Sequence, residues 1–261
     1  MSLYRWRGLS SNRTFVGLDN YKKLAADHLF WQCVKNNLWL LVVGGTALIA
    51  LGLLLAHGMQ TRGALTRFLR SIYLFPQVVS LVVVAILWMF LYNPTHGLVP
   101  DLIRRIGIQP PAEGFLGSST LALPSVCAAF VWYALGFYVM LFSAGIHQIP
   151  IEVSEAAELD GATGPRRFFG ITWPLLWAVR RVACVYVVIN VMNVFALVYL
   201  MTRGGPDRHT DTMLTYLYEQ AFVDRQFGYA ASLAVVNLVI ALLLSAVVMV
   251  LLRRNPTAAR T

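Results

Sequence analysis

The residues able to do chemistry are few and scattered. Lys22, Lys23 and Lys35 are the whole lysine complement of the 261-residue chain, and none precedes Ser or Thr. A phosphate-cradling loop needs that pairing after a glycine-rich turn, so nucleotide hydrolysis has no seat here. His28, His57, His96, His147 and His209 stand isolated, with no second His or acidic partner at ligand spacing, so no metal is expected and each reads as a solvated or interfacial side chain. Cys33, Cys127 and Cys184 lie far apart, in or near apolar segments, and read as packing residues. No GxSxG nucleophile motif is present. A non-catalytic chain without cofactor is the expectation.

Two groups of polar residues remain. The first is the 150–174 stretch, where Glu152, Glu155, Glu158 and Asp160 precede Arg166 and Arg167. It reads as two short helices joined by a turn. Pro150 suits a first helical position, the early acidic residues favour the positive helix end, and Gly161 suits a left-handed stop. Pro165 opens the second helix and Pro174 ends it. Ala156 and Ala157 thin one face for close backbone approach, while Glu152 and Glu155 share a side. The second group lies inside apolar runs: Tyr133, Tyr138, Tyr186, Asn190, Asn193 and Asn237. Polar side chains at membrane depth are costly, so they face helix partners or a cavity. Rings beside amides suit a sugar, with its hydroxyls and apolar face; for any single residue, helix-to-helix hydrogen bonding is the more ordinary role.

The elements that position these residues follow from composition. Hydrophobic residues make up 58% of the chain and charged residues 13%, which points to lipid. Uncharged intervals at 36–61, 71–100, 114–151, 182–202 and 226–252 each hold the ~20 apolar residues of a spanning helix. The third is long enough to include loops, with a start near Leu123-Pro124 and a stop at Ile149-Pro150. Five spans in an all-α, polytopic transmembrane bundle are predicted. Five soluble core helices would need polar faces these runs lack, and an outer-membrane barrel would need period-two alternation. The basic residues form no continuous face, which argues against nucleic acid as a partner.

Charge sets the orientation. Arg62, Arg67, Arg70, Arg166, Arg167, Arg180, Arg181, Arg253, Arg254 and Arg260 give ten basic residues on one side, and eleven fall on the other. Six of the eleven are Arg5, Arg7, Arg13, Lys22, Lys23 and Lys35 in the N-terminal arm. With the arm set aside the tally is ten to five, which puts the 152–181 loop and the tail in the cytoplasm. The organisation predicted is an extracytoplasmic arm, 1–35, a transmembrane domain, 36–252, with a cytoplasmic loop at 147–177, and a cytoplasmic tail, 253–261. A basic arm outside calls for a further span before Met1. No signal peptide is visible, since the first apolar run follows 35 polar-rich residues.

The loop carries a resemblance. Glu155, Ala156, Ala157, Gly161, Ile171 and Pro174 match, at the same spacing, the hallmark loop of binding-protein-dependent ABC-importer permeases, with Trp173 where that family usually has Leu. Phe15-Val16-Gly17-Leu18-Asp19-Asn20-Tyr21, Leu74-Phe75-Pro76, Tyr92-Asn93-Pro94 and Phe227-Gly228-Tyr229-Ala230 resemble the MalF-like carbohydrate group, and the resemblance covers nearly the whole chain. Arg203 in Arg203-Gly204-Gly205-Pro206 departs from the usual glycine-rich turn. In that group a first spanning helix precedes the Phe15–Tyr21 motif.

The resemblance implies a MetI-like permease of the bacterial inner membrane, with the matched loop as the coupling helix seated in a cytoplasmic ATPase dimer. It implies a second homologous permease, an extracytoplasmic solute-binding protein and a sugar substrate. Tyr186, Asn190, Asn193 and Asn237 are the pathway candidates. A permease for an amino acid, peptide or oxyanion is the nearer rival, and an intramembrane enzyme would need carboxylates or metal ligands that the uncharged intervals lack.

Overall fold

Glycines along one long apolar helix decide how the bundle is built. The computed structural model describes residues 1–8, 13–59 and 72–253. Arg62, Arg67, Arg70, Arg254 and Arg260, with the interval ends at Thr61 and Ser71, lie outside the described residues.

A short antiparallel pair, β1 (Tyr4–Arg5) and β2 (Thr14–Phe15), precedes α1 (Asp19–Ala26). Then comes α2 (His28–Gly58), whose 31 residues extend about 46 Å at 1.5 Å per residue, enough to cross a ~30 Å hydrocarbon layer. It begins ahead of Lys35, the charge that bounded the first interval at Asn36. The start is fixed by Asp27, whose side chain accepts the Leu29 N–H at 2.9 Å. Along α2, a Cβ on Gly52 would lie 2.8 Å from that of Tyr138, and one on Gly45 2.7 Å from Val187. Small residues let helices approach closely where lipid gives no hydrophobic drive between them. The partners are α6 (Ala122–His147) and α10 (Trp177–Met192).

α6 is central, with Val126, Ala129, Tyr138, Val139 and Phe142 fully buried. Its bounds agree with the start and stop read at Leu123-Pro124 and Ile149-Pro150. By contrast α13 (Phe227–Leu251) leaves Leu238, Leu242, Leu243, Val250 and Leu251 exposed, as a helix facing lipid or a partner must.

Two intervals are not single helices. The second holds α3 (Ile72–Val78) and α4 (Leu81–Leu91), bent by 117°, followed by α5 (Leu98–Arg105). The bend spans Val79 and Ser80. The fourth interval breaks after Met192: α10 ends at its cap, Asn193, and α11 (Ala196–Met201) follows. Among the described residues three helices are long and apolar enough to cross alone, and five segments result if each of two bent pairs is one span. α12 (Met213–Tyr218) and a π-helical turn (Glu219–Val223) lead into α13.

α13 also orders the two ends of the bundle. Its start meets the N-terminal arm, where the Gly228 N–H donates to the Trp6 carbonyl at 3.1 Å. Its far end meets α10, where Trp177 Nε1 donates to the Leu252 carbonyl at 2.8 Å. With most of the 25-residue helix between them, about 36 Å separates these contacts.

Candidate coupling loop and polar face

The loop between α6 and α10 lies at the α10-start end, opposite the arm. α7 (Ile151–Leu159) has Pro150 as its cap, one position before the first helical residue where the sequence placed it. Gly161 ends the helix with φ of +72°. The Gly161 N–H donates to the Glu158 carbonyl at 3.0 Å, and the Ala162 N–H to that of Ala157 at 2.8 Å. This is a Schellman stop, and only Gly takes its backbone angle without strain.

α8 (Gly164–Arg167) opens with Pro165 as expected. Pro174 does not end the second helix. A π-helical turn (Phe168–Thr172) intervenes, Pro174 sits inside α9 (Trp173–Leu175), and the 72° bend comes at Leu176. Proline lacks an N–H, and at the first positions of a new turn that donor has no intrahelical partner to lose.

Four contacts hold the loop. Arg167 pairs with Glu158 at 2.6 Å, closing α8 onto α7. The Phe168 ring lies 4.9 Å from that of His57 at the end of α2. Arg180 stacks on Trp173 at 4.0 Å. A Cβ on Gly145, near the end of α6, would lie 2.9 Å from Leu176. Sequence reasoning missed Arg167, Phe168, His57 and Arg180 because each partner lies far along the chain or on another element. The charge complementarity of Glu158 and Arg167 was the one visible signal.

The outward face of α7 is unfilled. Ile151, Glu155 and Leu159 recur every fourth residue and share it, with Ile151 68% and Leu159 90% exposed. Ala156 and Gly161 are exposed, Ala157 is buried, and Ile171 and Pro174 are half-buried. The six motif residues are therefore split between a surface and its support.

On α10, Tyr186, Asn190 and Asn193 form one face. Tyr186 lies 4.3 Å from Phe137 and 6.2 Å from the buried Tyr138. Asn190 and Asn193 each donate to a carbonyl of their own helix, at 3.0 and 2.8 Å, and Asn190 also lies beside the Tyr138 hydroxyl of α6. Asn237 is elsewhere: buried on α13, it donates to the Met192 carbonyl at 3.3 Å. Tyr133 is half-buried against the core.

The arm end holds a denser network that the sequence did not disclose. Asp27 accepts the Tyr216 and Tyr229 hydroxyls, each at 2.5 Å, joining α2, α12 and α13. Burial pushes the Asp27 carboxyl up, but these two hydroxyls and the Leu29 and Phe30 N–H groups together hold it below the usual carboxylate range. Asn36 and Asn37 of α2 clasp the 202–213 loop, Asn36 donating to the His209 and Asp211 carbonyls and Asn37 accepting the Met213 N–H.

Residues 48–256 match the family model of the binding-protein-dependent transport system inner membrane component. The chain belongs to that family. It is an ABC-importer permease, a multi-pass component of the inner membrane. YurN, a probable ABC transporter permease of Bacillus subtilis, is 36% identical over 249 residues, covering 94% of this permease and 85% of that protein. NgcF, a diacetylchitobiose uptake permease of Streptomyces coelicolor, is 35% identical, covering 93% and 72%. The permease also shares its fold with a chain of a bacterial ABC transporter involved in import of the acidic polysaccharide alginate, with a TM-score of 0.83, 23% identity and coverage of 93% and 85%.

Proposed function

We propose that the permease passes a sugar or sugar derivative inward across the membrane, receiving it from an extracytoplasmic binding protein. A second, similar permease closes the path, and a separate ATPase dimer drives it. Relatives whose names specify uptake of diacetylchitobiose, multiple sugars or sn-glycerol-3-phosphate support the substrate class.

The observation that carries the reading is the exposed Ile151–Glu155–Leu159 face on a loop tied to the ends of α2, α6 and α10. A carboxylate between two exposed apolar side chains suits a cleft of the ATPase. The ties beneath it carry a push from that cleft into three membrane helices. Closure of the ATPase pair favours the outward-facing state, and opening favours the inward-facing one. The loop and the tail face the cytoplasm, and the arm, at the other end of α13, lies outside.

Glu155→Lys and Gly161→Val are expected to abolish ATP-dependent uptake while leaving membrane insertion intact. Uptake surviving both at normal expression overturns the coupling role. Competition by unlabelled sugars, but not by amino acids, is the outcome expected for the substrate class.

A further inference from the structure

A cavity of about 820 Å³ opens where the N-terminal arm folds against the start of α13. Its walls carry Arg5, Arg7, Lys23 and Arg225, with Trp6 and Tyr229 between them. Two carboxylates also line it, and both have other partners: Asp224 accepts Gln220 Nε2 at 2.6 Å, and Asp19 lies 3.6 Å from Lys22. Among the described residues no carboxylate lies within ion-pair distance of Arg5, Arg7 or Arg225.

The cavity is built rather than incidental. The Trp6 ring packs on Phe227 at 5.4 Å, Asn20 donates to the Ser2 and Tyr4 carbonyls, and Lys23 donates to Gln226 at 2.9 Å while lying 4.4 Å from the Tyr229 ring. Gly228 has no room for a Cβ beside the Tyr4 carbonyl.

We propose that this cavity is the dock for an acidic segment of the binding protein. The inference rests on the reading of the chain as a binding-protein-fed importer with its arm outside. Basic residues are disfavoured on that side of a membrane, yet the arm concentrates them. Guanidinium groups bind carboxylates through paired hydrogen bonds, and a cavity with four basic side chains against two carboxylates keeps a net positive charge that steers an acidic partner toward it. Tyr229 gives the dock a route inward, because its hydroxyl also holds Asp27 at the cap of α2. An occupant that displaces the ring therefore loads the joint between α2, α12 and α13.

The test uses the reconstituted transporter and its ATPase stimulation by the loaded binding protein. In Arg7→Gln/Arg225→Gln the concentration for half-maximal stimulation is expected to rise roughly tenfold, as loss of close charge pairs across an interface does. Its dependence on salt should flatten. Hexaglutamate peptide should compete with the binding protein on the wild type and lose potency on the variant. Lys35→Gln/Arg105→Gln, which removes two positive charges outside the cavity, should change nothing.

Stimulation of the inserted variant with unchanged half-maximum and salt dependence overturns the dock alone. So does a variant altered only in its response to phosphatidylglycerol content, which would make the cavity a lipid site. A wild type that the binding protein does not stimulate overturns both the dock and the importer reading beneath it.

Discussion

The guanidinium of Arg180 lies 4.0 Å from the centre of the Trp173 ring, across the bend that joins the coupling loop to α10. The ring occupies the motif position where Leu is usual, and Arg180 Nε is buried without a hydrogen-bond partner among the described residues. The indole face therefore lies against a guanidinium whose buried nitrogen meets no acceptor. A half-buried contact of this kind is worth about 1 kcal/mol. Trp173→Leu is expected to lower the thermal midpoint of the purified protein and the sugar moved per ATP, while Trp173→Phe keeps most of both. A Leu variant equal to the wild type in both measurements overturns the role given to the ring.

Gly161 tests the loop by conformation alone, because a Cβ there would meet no atom within 4 Å. Its φ of +72° costs a non-glycine residue roughly 1 kcal/mol or more, least for Asn. Uptake should fall in the order Gly, Asn, Ala, Val. Equal uptake by the Asn and Val variants would mean that the Schellman stop does not set the docking face.

Much of this was legible in the sequence because it is periodic or local. α6 and α13 followed from absent charges, and Gly161 and Pro165 marked their turns through backbone angles fixed by residue type. What was not legible depends on distant partners. Trp173 reads only as a departure until Arg180 is placed beside it, and Asp27 reads as an ordinary acid until Tyr216 and Tyr229, about 190 and 200 residues later, meet it. The bends at Val79-Ser80 and Leu176 were hidden for another reason. Hydropathy measures how much chain lipid accepts and is blind to where its axis turns. Asn190 and Asn193 were read correctly as sharing a face, but their bonds to their own helix need coordinates.

Asp27 gives a pH signature. Its folded-state value lies below the unfolded one of about 3.9, so its stabilisation is complete above the unfolded value and is lost as pH falls through the lower folded value. The thermal midpoint of the detergent-solubilised protein should drop below about pH 4. Asp27→Asn, which keeps a capping oxygen without the charge, should start lower and show a shallower drop. An unchanged pH profile in that variant would remove Asp27 as the cause.

The loop clasped by Asn36 holds a charge cluster in which Asp211 is buried, its side chain 5% exposed, while Glu219 and Arg208 reach solvent. Arg208 Nη2 donates to Glu219 Oε1 at 2.6 Å, and Nη1 to Glu219 Oε2 and, at 3.2 Å, to Asp211. Burial pushes the Asp211 carboxyl above its usual range despite Thr215 and Arg208 beside it. Arg208→Met leaves that buried carboxylate without its cation, and because Arg208 itself is 40% exposed the cost is about 2 kcal/mol, below that of breaking a fully buried pair. Arg203, exposed with φ of +50°, is the contrast. Arg203→Gly relieves a left-handed backbone and should leave the midpoint at or above the wild-type value, whereas Arg208→Met should lower it by several degrees.

Asn237 and Asn190 separate packing from passage. Asn237 is buried and bonds across to the Met192 carbonyl, so Asn237→Leu removes a link between α13 and α10 and should cost about 1 kcal/mol. Asn190 donates to the Tyr186 carbonyl of its own helix, on the face shared with Tyr186, which is 37% exposed. Asn190→Ala and Tyr186→Ala should therefore leave the thermal midpoint within a degree or two and raise the concentration for half-maximal uptake severalfold. Paired uptake and unfolding measurements on the three variants decide it. Stability loss at Asn190 and Tyr186 with normal uptake would make that face a contact with the second permease rather than a wall of the path.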